Sequence, residues 1–341
     1  MNKVKYIIIS GLGLVVICII LGYTILFGNA IKPNNGRSVI LIPTGASWEQ
    51  VFDSITANFE IKNKDILTWI AGEKRYPELI KPGCYVIDKN ISYVSLINLL
   101  RSGSQTPVNV TFNNIRYLHD LAGRIGGQIE ADSAHIMEFF SDPDNYRKDG
   151  FTNENIISVF IPNTYEFYWN TDAGELYSRM LKEYHRFWNG DRLEKAKAIG
   201  LTPIEVSILA SIIDDEVARA DEKPRIAGVY LNRLKMGIPL QACPTIKYAL
   251  NDFTITRILN GYLKIESPYN TYLHRGFPPG PIGCPTIEGI DAVLNAEKHN
   301  YLYFAAKADF SGYHNFSRTL SEHNRYADEY QRELNRRRIF K

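Results

Sequence analysis

The feature that most constrains this chain is an uncharged run near its start. Tyr6 to Gly28 reads YIIISGLGLVVICIILGYTILFG, 23 residues without a charged side chain. About 20 apolar residues in a helix cross the hydrocarbon core of a bilayer. A cleaved signal peptide has a shorter apolar core followed by a small-residue cleavage site, and a buried core helix at a terminus seldom runs so long uncharged. No lipobox-like small residue directly precedes Cys18, which argues against lipidation there. Lys3 and Lys5 precede the run, and Lys32 and Arg37 follow it. The lysines are closest and head a short tail, so the positive-inside tendency puts residues 1–5 in the cytoplasm and everything after Asn29 outside. The expected order is a cytoplasmic tail (1–5), a transmembrane helix (6–28) and a polar linker (29–37) containing Pro33-Asn34-Asn35-Gly36.

The rest of the chain has room for about two domains. Hydrophobic content of 45% and charged content of 22% are those of a globular protein, and a net charge of +2 excludes bulk nucleic-acid binding. In 38–105, SVILI from Ser38 reads as a strand. Helical spacing follows over Trp48 to Phe59 and Lys62 to Ala71, then a strand from Cys84. A third helix from Ser92 to Leu100 is stopped by Gly103. A strand, two helices and a strand resemble a LysM-type glycan-binding module; the same order suits a spacer or docking domain without a sugar site.

Residues 106–341 alternate strands and helices irregularly, so the fold class is α+β with a larger mixed domain after the small one. SVFIPNTYEFYW, Ser158 to Trp169, is dense in aromatics, is interrupted by Pro162, and reads as a loop lining a cleft. The best-marked element is a helix from Pro203 to about Ala220. Thr202 is its N-cap, Pro203 suits the first position, and Glu205 completes a capping box. Leu209, Ile212 and Ile213 share an apolar face that Glu216 and Ala220 continue, while Ser207, Ser211, Asp214 and Asp215 fall toward a polar side. Glu216 therefore stands where the pattern asks for an apolar residue. Burial disfavours the charged form, and a carboxyl held protonated near neutral pH can donate a proton to a leaving group. The same phase also suits a Glu at the edge of the stripe, paired with Arg219 or another cation. Downstream, PLQACPTIKYAL from Pro239 and SPYNTYLHRGFPPGPIGCPT from Ser267 read as rigid segments without regular elements, a common setting for functional groups. The polar C-terminal helix ending in Arg336, Arg337 and Arg338 reads as a solvated face.

ASIIDDE ending at Glu216, YLNRLKMGIPLQ from Tyr230, PTIKYAL from Pro244 and SPYNTY from Ser267 occur in this order, with GFPPGPI from Gly276, YLYF from Tyr301 and EHN from Glu322. With FIPNTYEF near Pro162, this set resembles the endolytic murein transglycosylases, the YceG-like family, over nearly the whole chain. The resemblance implies a membrane-anchored lytic transglycosylase cutting the MurNAc–GlcNAc β-1,4 bond of nascent peptidoglycan strands near the cell-wall synthases, at the outer face of the inner membrane. The second acid of the family's motif matches Glu216, which would protonate the glycosidic oxygen. As carboxylate it would then take the C6 hydroxyl proton while that oxygen closes a 1,6-anhydro ring. The first acid, usually Glu in the family, is Asp214 here. A two-carboxylate hydrolase would need a second acid about 5 to 9 Å away, and Asp252 and Glu266 stay open for that role.

The matched segments further imply glycan contacts at Gln241, Tyr269, Asn270 and Tyr272, with His314, Glu322 and Asn324 as additional candidates. No cofactor or metal is implied, since His274, His314, His323 and the cysteines show neither HExxH nor CxxC spacing. Relatives typically carry Asp and Asn where this chain has Cys243 (ACPT) and Cys284 (GCPT). The paired change leads to an expected Cys243–Cys284 disulfide, worth about 4 kcal/mol in the chain-entropy model, against the alternative of two free, buried thiols. A non-catalytic peptidoglycan-binding scaffold is the competing reading of the whole.

Overall fold

The protein, described by a computed structural model over residues 2–34 and 36–339, is a mixed α+β chain. Asn35 of the expected linker and the side chains of Lys3 and Lys5 lie outside the described residues. Two compact units form. The first contains 1–110, 128–131 and 165–172, and the second the remaining stretches 111–127, 132–164 and 173–341.

In the first unit, helix α1 (Asn2–Phe27) carries the apolar run, and its segment Ile7–Phe27 is long and apolar enough to cross a membrane. Large side chains such as Ile7 and Leu12 are about 70% exposed, so the helix has no protein cover there. The expected polar linker is instead built into the unit. Strand β1 (Ile31–Pro33) follows almost at once. Ile31 N donates to Ile91 O (3.0 Å), Ile91 N returns the bond (2.9 Å), and Lys62 N donates to Ala30 O (3.0 Å). Ile31 is fully buried and Leu26 packs on the same core, so helix and unit are joined without a free tether. The polar letters that follow Ile31 hid a strand whose pairing is long-range.

Strand β2 (Ser38–Ile42) alternates buried Ser38, Ile40 and Ile42 with exposed Val39 and Leu41, the period-two signature of a half-covered strand. Helix α2 (Trp48–Asn58), strand β3 (Phe59–Ile61) and helix α3 (Lys64–Glu73) come next. Strand β4 (Gly83–Ile87) returns antiparallel to β2, and β3 pairs with β1. Helix α4 (Tyr93–Ser102) stops at Gly103, whose φ of 74° ends it in the left-handed conformation.

Strand β5 (Val108–Phe112) leads on and pairs with β6 (Asn163–Phe167). The aromatic stretch read as an irregular loop thus contains a strand. Pro162 lies just before it, where no ladder hydrogen bond is lost. Helices α5 (Leu118–Gly126), α6 (Ser133–Ser141), α7 (Ala173–Phe187) and α8 (Gly190–Ala198) build up the second unit.

The organising helix α9 (Pro203–Glu216) starts as read: Thr202 Oγ1 accepts from Glu205 N (3.2 Å) and Glu205 Oε2 accepts from Thr202 N (2.8 Å). It has no polar side through its middle, because every residue from Val206 to Ile213 is buried. Ser207 and Ser211 tolerate burial by donating to their own helix, at Pro203 O (2.9 Å) and Ile208 O (2.8 Å). The helix also ends earlier than expected: Val217 is extended, which leaves Glu216 as the last helical residue. Around α9 pack α10 (Lys223–Lys235), α11 (Cys243–Leu250) and α12 (Ile287–Leu294). Helix α11 corrects the expectation of an irregular segment there; Pro244 sits in its first turn, where a missing N–H costs nothing. The Pro-rich loop stays irregular and is held close: a Cβ on Gly280 would lie 1.9 Å from Glu154 O. Strands β7 (Tyr303–Ala306) and β8 (His314–Ser317) and helix α13 (Leu320–Arg336) complete the unit.

Candidate active site

Glu216 opens onto a cleft of about 480 Å³, a volume that suits a small ligand or a few sugar rings. Tyr230 and Arg233 of α10, Gln241, Cys243 and Tyr272 form one wall. Residues 303–306 of β7, His314 of β8, and His323 and Asn324 of α13 form the other. Among the described residues lining the cleft, Glu216 is the only carboxylate. Its Oε2 is out of solvent and has no hydrogen-bond partner among the described residues, and the hydroxyl of Tyr230 is in the same condition. Burial pushes the Glu216 carboxyl up to about 7; the Lys247 ammonium on α11 opposes that push and Asp215 adds to it. Burial also raises Tyr230 and Tyr272, each further raised by the Glu216 charge. A carboxyl raised this far can still carry a proton near neutral pH, which is what a general acid requires.

The neighbouring acids are held differently. Asp214 accepts from Lys223 Nζ (2.9 Å), Thr286 N (2.7 Å) and Thr286 Oγ1 (3.0 Å), tying α9 to the start of α12. Asp215 takes both ends of the Arg116 guanidinium (2.5 and 3.2 Å). Arg219, an expected partner for Glu216, donates to Ser311 O instead (2.9 Å). Asp252 bonds to Thr254 and Glu266 lines a different depression, so neither joins Glu216 in its cleft.

Of the expected glycan contacts, the fold brings Gln241, Tyr272, His314 and Asn324 to the cleft. His314 is oriented by the buried Glu222, whose carboxylate faces both its Nδ1 (2.8 Å) and its backbone N–H (3.1 Å). Three candidates lie elsewhere. Tyr269 packs on Tyr248, ring centroids 4.7 Å apart. Asn270 is fully buried and braces its loop, donating to Leu263 O and Ile265 O and accepting from Tyr272 N. Glu322 is the capping-box acid of α13, accepting from Thr319 N (3.4 Å) and Arg318 N (3.2 Å). Thr319-x-x-Glu322 is the same signature as Thr202-x-x-Glu205, so the sequence already held this answer.

The expected disulfide is absent: Cys243 and Cys284 are free thiols. Cys243 faces the Glu216 cleft with Sγ 3.2 Å from the Tyr272 hydroxyl. Cys284 is buried near Ile157 O and borders the depression around Asp214. The two similar tetrapeptides do different work, one opening α11 and the other leading to the Thr286 N-cap of α12. Burial pushes the Cys243 thiol up to about 11, which keeps it neutral at physiological pH. Reasoning from sequence missed Arg233, Tyr230 and Lys247. The first two are three residues apart on one helix, a spacing that puts both on one face.

Residues 40–329 match the sequence model of the YceG-like family. The chain belongs to that family. It is similar to a protein of Bacillus subtilis named endolytic murein transglycosylase, 28% identical over 92% of this chain and 91% of that protein. A Streptococcus pneumoniae protein of the same name is 26% identical over 78% of this chain, but the match spans only 53% of that longer protein. The crystal structure of a yceG-like protein from Listeria monocytogenes superposes with a TM-score of 0.55 at 24% identity, covering 86% of this chain and 99% of that one. That likeness is one of fold.

Proposed function

We propose that this member of the YceG-like family is a peptidoglycan lytic transglycosylase, a lyase that cuts inside glycan strands. The observation that carries the reading is the lone, partnerless Glu216 carboxyl, held up to about 7 in a cleft with no second acid among its described lining residues. One acid suffices when the attacking group belongs to the substrate. Glu216 protonates the glycosidic oxygen of a MurNAc–GlcNAc bond as the anomeric carbon gains oxocarbenium character. The resulting carboxylate takes the proton of the MurNAc C6 hydroxyl, whose oxygen closes the 1,6-anhydro ring. A two-carboxylate hydrolase would need a second acid to activate water. Intramolecular attack replaces that water by proximity.

The names of the relatives support peptidoglycan as substrate. Helix α1 supports a membrane anchor, with residues 1–5 inside and everything after Asn29 on the outer face near the synthases that extrude new strands. Digestion of purified peptidoglycan by the full chain in detergent tests the reading. Anhydro-MurNAc ends are expected. Reducing MurNAc ends would replace it with a hydrolase, and intact strands with a non-catalytic binding protein.

A further inference from the structure

Arg233 is 5% exposed, at the end of α10, and no carboxylate pairs with it among the described residues. Three of its five N–H groups donate to carbonyl oxygens: Nε to Pro239 O (2.9 Å), Nη1 to Leu302 O (2.9 Å) and Nη2 to Gln241 Oε1 (2.5 Å). The Tyr303 ring, with its centroid 5.2 Å from the guanidinium carbon, is its other neighbour, so the buried cation is held by carbonyls and a ring face rather than by a counter-charge. Gln241 supplies a second oddity. Its backbone holds φ at +54°, an unfavourable conformation for a residue with a side chain, pinned by its N–H on Thr271 O (3.0 Å).

A guanidinium has only donors, so the Gln241 amide must turn its oxygen toward it. The amide nitrogen then keeps two N–H groups and no acceptor role, on a residue that lines the cleft. This spot can receive a carbonyl oxygen but offers nothing to a group that must donate. On a β-1,4-linked hexosamine chain, the acetamido oxygen is the one carbonyl acceptor that every ring carries.

We propose that Gln241 reads the acetamido carbonyl of the glycan, and that Arg233 is the positioning residue that fixes the amide for it. The proposal rests on the cleft being a glycan site, and it names the group recognised there.

The test compares fully N-acetylated chitotetraose with cellotetraose, two neutral β-1,4 oligomers that differ by acetamido or hydroxyl at C2. Binding is measured by calorimetry on the full chain in detergent, in a Glu216→Gln background to prevent turnover. The parent is expected to prefer chitotetraose by about tenfold, the worth of one good hydrogen bond. Gln241→Glu keeps the shape, pairs with Arg233 and removes both donors; the preference should fall to near one while the melting temperature holds or rises. Arg233→Lys should lower the preference as well, whereas a merely structural arginine would lower the melting temperature and leave the ratio alone. A parent without preference, or an unchanged ratio in Gln241→Glu, overturns the proposal. Cleavage by the native chain is scored separately. Strand cutting with no effect of Gln241→Glu on the ratio refutes this inference and leaves the proposed function standing. The reverse pattern refutes the function and leaves the inference.

Discussion

Asp214 and Glu216 stand two residues apart at the end of one helix, and the fold treats the regions around them in opposite ways. Around Asp214, one ammonium, one backbone N–H and one hydroxyl converge on a single carboxylate. Around Glu216, an oxygen is buried with nothing to bond, and a buried tyrosine hydroxyl beside the same cleft is left equally bare. A satisfied carboxylate stabilises the structure it joins; an unsatisfied one costs stability and keeps its proton. The contrast explains how one helix end can clamp α12 in place and also, on the proposed reading, present a general acid.

The largest effect expected from breaking this contrast is on activity. Glu216→Gln preserves shape and removes the titrating proton, so strand cleavage should fall by at least about a thousandfold, read as anhydro ends released per unit time. Near-native cleavage by this variant would refute the single-acid mechanism. The pH profile sharpens the same point. The protonated acid is the active form for leaving-group departure, so the rate should fall about tenfold per unit as pH rises above about 7. A profile with its alkaline limb near 4 to 5 would show an ordinary, solvated carboxylate instead.

Asp214→Asn inverts the expectation. Its effect should fall on stability, about 2 to 4 kcal/mol by denaturant titration, because Lys223 then loses its most buried partner. The alkaline limb of the activity profile should stay where it is. A shifted limb would mean that the two acids are coupled and the contrast is false.

The last effect is a gain in stability. The folded pKa of Glu216 lies above its unfolded value, so the folded state binds more protons between about 4.5 and 7 and stability drops as pH rises through that window. Glu216→Gln removes that loss. The variant should melt higher than the native chain at pH 8, with the difference vanishing below about pH 4. An equal melting temperature at pH 8 would place the native carboxyl in water.

Much of this was decided by local order in the chain. The uncharged run of 6–28, the capping box at Thr202 and the phase that singles out Glu216 all follow from periodicity and short-range hydrogen bonding, which a linear string carries in full. The glutamate at Thr319-x-x-Glu322 was equally legible, as a cap rather than a sugar contact. Only the tertiary structure decided what depends on distant partners. Residues read as a polar linker became β1 because Ile91 and Ile61 were waiting for Ile31. Two cysteines in near-identical tetrapeptides parted because one opens α11 at the cleft and the other is buried beside Ile157. Arg233 became the orienting group for Gln241 because carbonyls of two distant segments, 239–241 and Leu302, converge on it. Periodicity fixes which face of an element is apolar. Which side chains meet across elements, and which polar atoms are left without a partner, is settled by packing between segments far apart in the chain.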